Sequence, residues 1–219
     1  IPVVTPSPKM SDQAFAGLLG RTIAELRNKA TASGVALPQQ YDFTFAAQRR
    51  ALNFPAGSID NWIPQLNDIV AISDALFQAR VNALDGIKRV PVSSQDVGEA
   101  DFLTANIVSN QFAVFTPYEV SFRGFTPELA AVLEQMQRTT NFVVIKSVSV
   151  APAPISAAAG DGMQVAPVRM QQDPRRRVPQ PGVQQRRGVQ AGAVAETVIA
   201  EQPLQVTLQL DVVKLNPVQ

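Results

Sequence analysis

Apolar and polar positions change period several times along the chain. In "SDQAFAGLLGRTIAELRNKATASG", Phe15, Leu18, Leu19, Ile23 and Leu26 form a stripe at helical spacing. Ser11 is a natural N-cap, and Gly34 with Pro38 beyond it is a natural stop. "QYDFTFAAQ" then alternates Tyr41, Phe43 and Phe45 against Asp42 and Thr44, which predicts a half-buried strand. A second helix follows over "IPQLNDIVAISDALFQARVNAL". Asp60 or Asn61 would cap it, and Leu66, Ile69, Val70, Leu76, Phe77, Val81 and Leu84 would form its buried face. "DGIKRVPVSS" reads as a short strand, and Pro91 makes it an edge or bulged one.

The stretch from Thr116 to Val150 switches period twice. Tyr118, Val120 and Phe122 alternate with Glu119, Ser121 and Arg123; Leu129, Val132, Leu133 and Met136 fall at helical spacing; Phe142 to Val150 is β-rich again. This is strand, helix, strand, with Thr126 expected as the cap and Pro127 in the first helical position. From Ala151 to Pro203 the chain is rich in Ala, Pro, Gln, Gly and Arg, has no aromatic residue and shows no clear period. Such a composition predicts a long flexible insert. Next comes "LQVTLQLDVVKLN", with Leu204, Val206, Leu208, Leu210 and Val212 on one face. The two strands that flank the insert can pair as a hairpin, because loop-closure entropy grows only logarithmically with length.

These elements predict an α+β protein: a ferredoxin-like two-layer sandwich with an antiparallel sheet and helices packed mainly on one face. The expected organisation is a lead-in over 1–10, a folded domain over 11–150 plus 204–219, and the insert over 151–203.

The chain has no histidine and no cysteine. Ser-His-Asp and Cys-His nucleophiles, zinc sites built on those ligands and imidazole acid–base chemistry are therefore excluded. The absence of cysteine leans toward an extracytoplasmic setting without requiring it. The formal net charge of +1 argues against a strongly electrostatic partner for the whole chain. No apolar run is long enough to span a bilayer, and no signal peptide is visible. The start at Ile1 suggests a processed or truncated chain.

Four groups of residues invite a functional reading. Arg175, Arg176, Arg177, Arg186 and Arg187, with Arg169, give the insert six arginines against four acidic residues, a net of +2. They could tether an anionic partner, although a solubilising loop is the commoner use of such a segment. Asp96, Glu99 and Asp101 could offer oxygen ligands to calcium, but their spacing is not that of an EF-hand, and a polar loop is the stronger reading. Tyr41, Phe43 and Phe45 could stack bases on a sheet, yet the glycine–aromatic signature of an RNA-recognition module is missing, so core is preferred. Asp60, Asp68 and Asp74 read as a cap and a solvated helix face, and Trp62 as a packing anchor.

"YEVSFRGFTPELAAVLEQMQRTTNFVVIKSVSV" and the closing "LQVTLQLDVVKLNP" carry a resemblance. The chain resembles the periplasmic domain of PilO-type proteins of type IV pilus machinery and of GspM-type proteins of type II secretion. Within that class it is similar to a PilO-like, pilus-associated protein of a mucin-degrading gut bacterium. The resemblance implies a ferredoxin-like domain, inner-membrane anchoring through an N-terminal helix absent from this sequence, and a periplasmic location. It also implies no catalytic residues and no cofactor. The implied mechanism is pairing, as a homodimer or with a PilN-like partner, through a helix face or the edge strand expected to hold Val90 and Val92. Two other readings stay open: an RNA-recognition-like module that uses the arginine-rich segment, and an envelope enzyme that works with carboxylates alone.

Overall fold

The computed structural model of the chain describes residues 10–98, 100–139, 142–153 and 202–216. Helix α1 (Asp12–Ser33) begins and ends where its sequence signals stand: Ser11 Oγ accepts the N–H of Ala14 at 3.2 Å, and Gly34 closes the helix in the left-handed region at φ 74°. An N-cap of this kind stabilises a helix by about 1 kcal/mol. The expected strand over 41–45 does not form. Gln40, Phe43 and Thr44 all have positive φ, and the chain passes through two turns into a short helix, α2 (Ala46–Arg50). The aromatic residues still do what core residues do: Phe43 and Phe45 are fully buried, and Tyr41 packs against the same cluster.

Helix α3 (Ser58–Gln78) starts earlier than its acidic residues suggest, with Gly57 in the left-handed region as the cap rather than Asp60 or Asn61. It also stops earlier. The chain reverses through Arg80 at φ 54°, so Val81 lies in the turn and Leu84 in strand β1 (Ala83–Arg89). Strands β2 (Val108–Ser109) and β3 (Ala113–Gly124) follow, then helix α4 (Thr126–Arg138), β4 (Phe142–Pro152) and β5 (Leu204–Leu215). Phe125, not Thr126, precedes α4, and its N–H donates to the Glu128 carboxylate at 2.9 Å.

The sheet order is β1-β3-β5-β4, with β2 beside β3, and every pairing is antiparallel. β3 and β4 are therefore parallel to each other with β5 between them, so β3-α4-β4 is a split β-α-β unit. Without a strand at 41–45 the sandwich reads α3-β1-β3-α4-β4-β5. This is a ferredoxin-like arrangement whose first strand has been moved to the end of the chain. β4 and β5 form the expected hairpin: their ladder runs to Pro152 opposite Leu204, and Ala153 N–H donates to Pro203 O at 2.8 Å.

One sheet face carries the core. Val206, Leu208, Leu210 and Val212 of β5 are buried with Val120 and Phe122 of β3 and Leu84 and Ile87 of β1, beneath α3 and α4. α1 packs along α3 through Phe15, Leu19, Ile23 and Leu26. A bulge at Lys146 keeps β4 in step. Val143 and Ile145 lie opposite Val212 and Leu210, and beyond the bulge Val148 and Val150 lie opposite Leu208 and Val206. Without the extra residue the second pair would point to the other face.

Leu208 is fully buried, whereas Val148 opposite it is 43% exposed. Leu208→Ala should therefore cost about 2–5 kcal/mol in denaturant unfolding, and Val148→Ala less than about 1 kcal/mol.

Candidate functional site

Alternation carries Ile87 and Arg89 toward the helices, and a bulge between Leu84 and Gly86 brings Leu84 to the same face, so β1 delivers a guanidinium into the interior. Arg89 is 0% exposed. Its guanidinium lies between the rings of Phe45 and Phe102, 4.6 Å and 4.8 Å from their centroids. A desolvated cation over an aromatic face is worth ~2 kcal/mol. Its N–H groups donate to Thr44 Oγ1 at 2.9 Å, to Gln65 Oε1 at 2.7 Å and to both oxygens of Asp96. Asp96 also accepts from Gln48 Nε2 at 2.8 Å, Trp62 Nε1 at 3.3 Å, Val92 N at 2.8 Å and Ser93 N at 3.0 Å. Burial pushes the Asp96 carboxyl up. The hydrogen bond and charge of Arg89, with the N–H groups of Val92 and Trp62, outweigh it and hold the carboxyl below its usual range.

This network bears on three readings raised from sequence, two of which, calcium binding and base stacking, are already the weaker alternatives. Asp96 is no calcium ligand, because its oxygens are taken by donors and a cation; Glu99 lies outside the described residues. Val90 and Val92 lie beyond the end of β1, so they are not an edge strand open to a partner. Val90 is buried, and its carbonyl accepts Gln65 Nε2 at 2.9 Å. The aromatic run at 41–45 is not on a sheet and offers no stacking platform for bases; Phe45 covers Arg89 instead.

Asp68 is likewise not on a solvated helix face. It is fully buried, accepting from Tyr118 OH at 2.9 Å and Lys214 Nζ at 2.8 Å. Burial pushes its carboxyl up, and Lys214 only partly offsets that. Burial, then the Asp68 charge, push the Tyr118 hydroxyl up. Asp74 pairs with Lys29 at 2.7 Å. Among the described residues no group of three acidic side chains is placed to hold a metal ion. Arg175, Arg176, Arg177, Arg186 and Arg187 lie outside the described residues.

The sheet face away from the helices is polar in its middle. Lys88 pairs with Glu119 at 2.9 Å, Arg123 with Asp85 at 3.0 Å, and Ser121 bonds Thr207 at 3.2 Å. One end is apolar instead. Val108, Phe115, Val213 and Phe142 are register partners across β2, β3, β5 and β4, and Leu215 is two positions beyond Val213 on the same face. Val108, Phe142 and Leu215 are 60%, 63% and 65% exposed.

The two sheet edges differ. On β1, Ala36 exchanges bonds with Asn82 and Leu84, Arg89 with Asp101 and Leu103, and Ile87 N–H donates to the Tyr41 hydroxyl at 2.7 Å. Among the described residues the outer edge of β4 has no neighbouring strand.

Among the described residues the buried charges of Arg89, Asp96 and Asp68 bond to neighbouring side chains and backbone, and the sheet face away from the helices ends in an apolar row. The chain belongs to the pilus-like family, whose model matches residues 2–218. No curated protein matches it by sequence. Two structures from Akkermansia muciniphila share the fold. One is a core domain, with a TM-score of 0.59 and 10% identity over 94% of this chain and 90% of that one. The other is a protein without its transmembrane region, with a TM-score of 0.59 and 9% identity over 96% of this chain and 88% of that one. The type 4 fimbrial biogenesis protein PilO from Pseudomonas aeruginosa overlaps at a TM-score of 0.36 and 10% identity, over 88% and 99% of the two chains, too little to support an argument. Among the described residues no helix is long and apolar enough to cross a membrane.

Asp96→Asn should remove about 3–5 kcal/mol of stability at neutral pH, since it leaves the buried Arg89 charge uncompensated. The Asp96 pKa is depressed in the folded state, so its contribution is complete above the unfolded value of about 3.9 and fades as pH falls through the folded one. Unfolding curves of the two proteins should therefore stay a constant distance apart from pH 7 to 5 and converge below about pH 4.

Proposed function

We propose that this chain is a non-enzymatic assembly protein of a cell-envelope type IV pilus or type II secretion-like system. The observation that carries the reading is the pilus-like family match over nearly the whole chain. Its mechanism is pairing, with a second copy or with a PilN-like partner, through the domain made of residues 11–150 and 204–219. The internal use of Arg89, Asp96, Asp68 and Lys214 supports a non-enzymatic role: these ionisable groups hold helices and loops to the sheet. The full-length protein is anchored in the inner membrane by an N-terminal helix and faces the periplasm. A neighbour studied without its transmembrane region supports that arrangement.

The test is sedimentation of the chain alone and mixed with a PilN-like protein of the same organism. Self-association or a stoichiometric complex at micromolar concentration is the expected result. A chain that stays monomeric at the highest concentration reached and ignores the PilN-like protein has no pairing mechanism, and the reading falls.

A further inference from the structure

β4 is an unusual strand to leave open. It runs for eleven residues, "FVVIKSVSVAP", and Phe142, Val144, Val148 and Val150 are 63%, 49%, 43% and 46% exposed. Long apolar edges with few charges are what a solitary protein avoids, because their unpaired N–H and C=O groups template further pairing. β1, at the opposite side of the same sheet, is covered by backbone at both ends and by Tyr41 in its middle. Among the described residues one edge is protected and the other has no strand beside it.

The occupant of an open edge must itself be an extended backbone. Electrostatics favours an identical strand. Lys146 is the one charged residue on β4, and Asp211 of the neighbouring strand neutralises it at 2.9 Å. Two such edges can approach without like-charge repulsion. They also match in length, and the helix-side valines would continue the apolar face that α4 leaves uncovered beyond Ile145.

We propose that the outer edge of β4 pairs antiparallel with β4 of a second copy of this chain, joining two sheets into one. The proposal rests on the pairing function above and names the surface that performs it. The contact is isologous and closes on itself, giving a dimer rather than a fibre. Pairing of this kind leaves the apolar row at Val108, Phe115, Val213 and Phe142 on one side of the joined sheet.

The chain has no cysteine, so single-cysteine variants can be labelled cleanly. Ser147→Cys, near the middle of β4, and Glu25→Cys, exposed on α1, each carry a nitroxide for distance measurement, alongside sedimentation of the unlabelled chain. One strand spacing of ~4.8 Å and a register offset of a few residues put the two position-147 backbones within about 15 Å of each other. The expected result is a dimer with a short distance at position 147 and a long one at position 25. Val150→Lys, at a half-exposed edge position, should raise the dimer Kd by about tenfold or more without unfolding the monomer. A dimer with distant labels at position 147 overturns this edge while leaving the pairing function standing. A monomer whose position-147 label is immobilised only by the PilN-like protein gives the edge to that partner and overturns the second-copy proposal. A monomer that binds nothing overturns both readings.

Discussion

The Arg89–Asp96 pair is the contact on which the helix layer and the loops depend. Breaking a buried ion pair leaves a charge that neither water nor a neighbour can solvate, which is far worse than never having buried it. The cost here is spread over several elements. Thr44 and Phe45 come from the turn before α2, Gln48 from α2, Gln65 and Trp62 from α3, and Phe102 from the loop after β1. The left-handed backbone at Phe43 and Thr44 fits this picture. A β-branched residue at φ 70° is strained by about 1–3 kcal/mol, and the conformation persists where Thr44 Oγ1 accepts from Arg89 Nε. The irregular segments are held to the core by polar bonds, whereas the regular ones are held by apolar packing.

A second buried acid ties the layers together along the other diagonal. Asp68 on α3 meets Tyr118 on β3 and Lys214 on β5, so two strands and a helix share one carboxylate. Lys214 also donates at 3.2 Å to the carbonyl of Pro64, the proline inside α3. The two clusters sit on helix α3 at Trp62, Gln65 and Asp68, within two turns of each other. α3 is thereby fixed in rotation as well as in position, which apolar contacts alone do less well because they tolerate sliding.

Much of the sandwich was legible in the sequence, and the failures have physical causes. α1, the β3-α4-β4 run and β5 were readable because each keeps one period long enough to define a face. The stretch at 41–45 misled because turns with left-handed residues can alternate aromatic and polar side chains as a strand does; that phantom strand shifted the frame of the whole topology. The buried charges were partly readable. Arg89 follows Ile87 by two and Lys214 follows Val212 by two, so alternation points both inward. Asp68 stands three residues after Gln65 and four before Ile72, within the buried stripe of α3. Inward cations and an inward acid imply one another. What no periodicity reveals is which acid meets which cation, because Asp96 reaches Arg89 through an irregular loop.

The same geometry explains how a long insert is tolerated beside a strand that is central to the core. β5 lies between β3 and β4 and supplies four buried residues to the core, yet it is joined to β4 by the segment of lowest complexity in the chain. Its register does not depend on that segment. β3 fixes β5 along twelve partner positions, from Ala113 opposite Leu215 to Gly124 opposite Leu204. Of the four long strands β4 gains least from the core, with an exposed outer half and a bulge at Lys146. β5 is therefore specified by its partner on the protected side, and β4 is specified by β5. Strand order in the sheet thus grades order of attachment: the innermost strand is fixed on both flanks, and the outermost is fixed on one. A strand held on one flank, largely apolar and with Lys146 as its single charge, has more to gain from a second neighbour than a strand held on both.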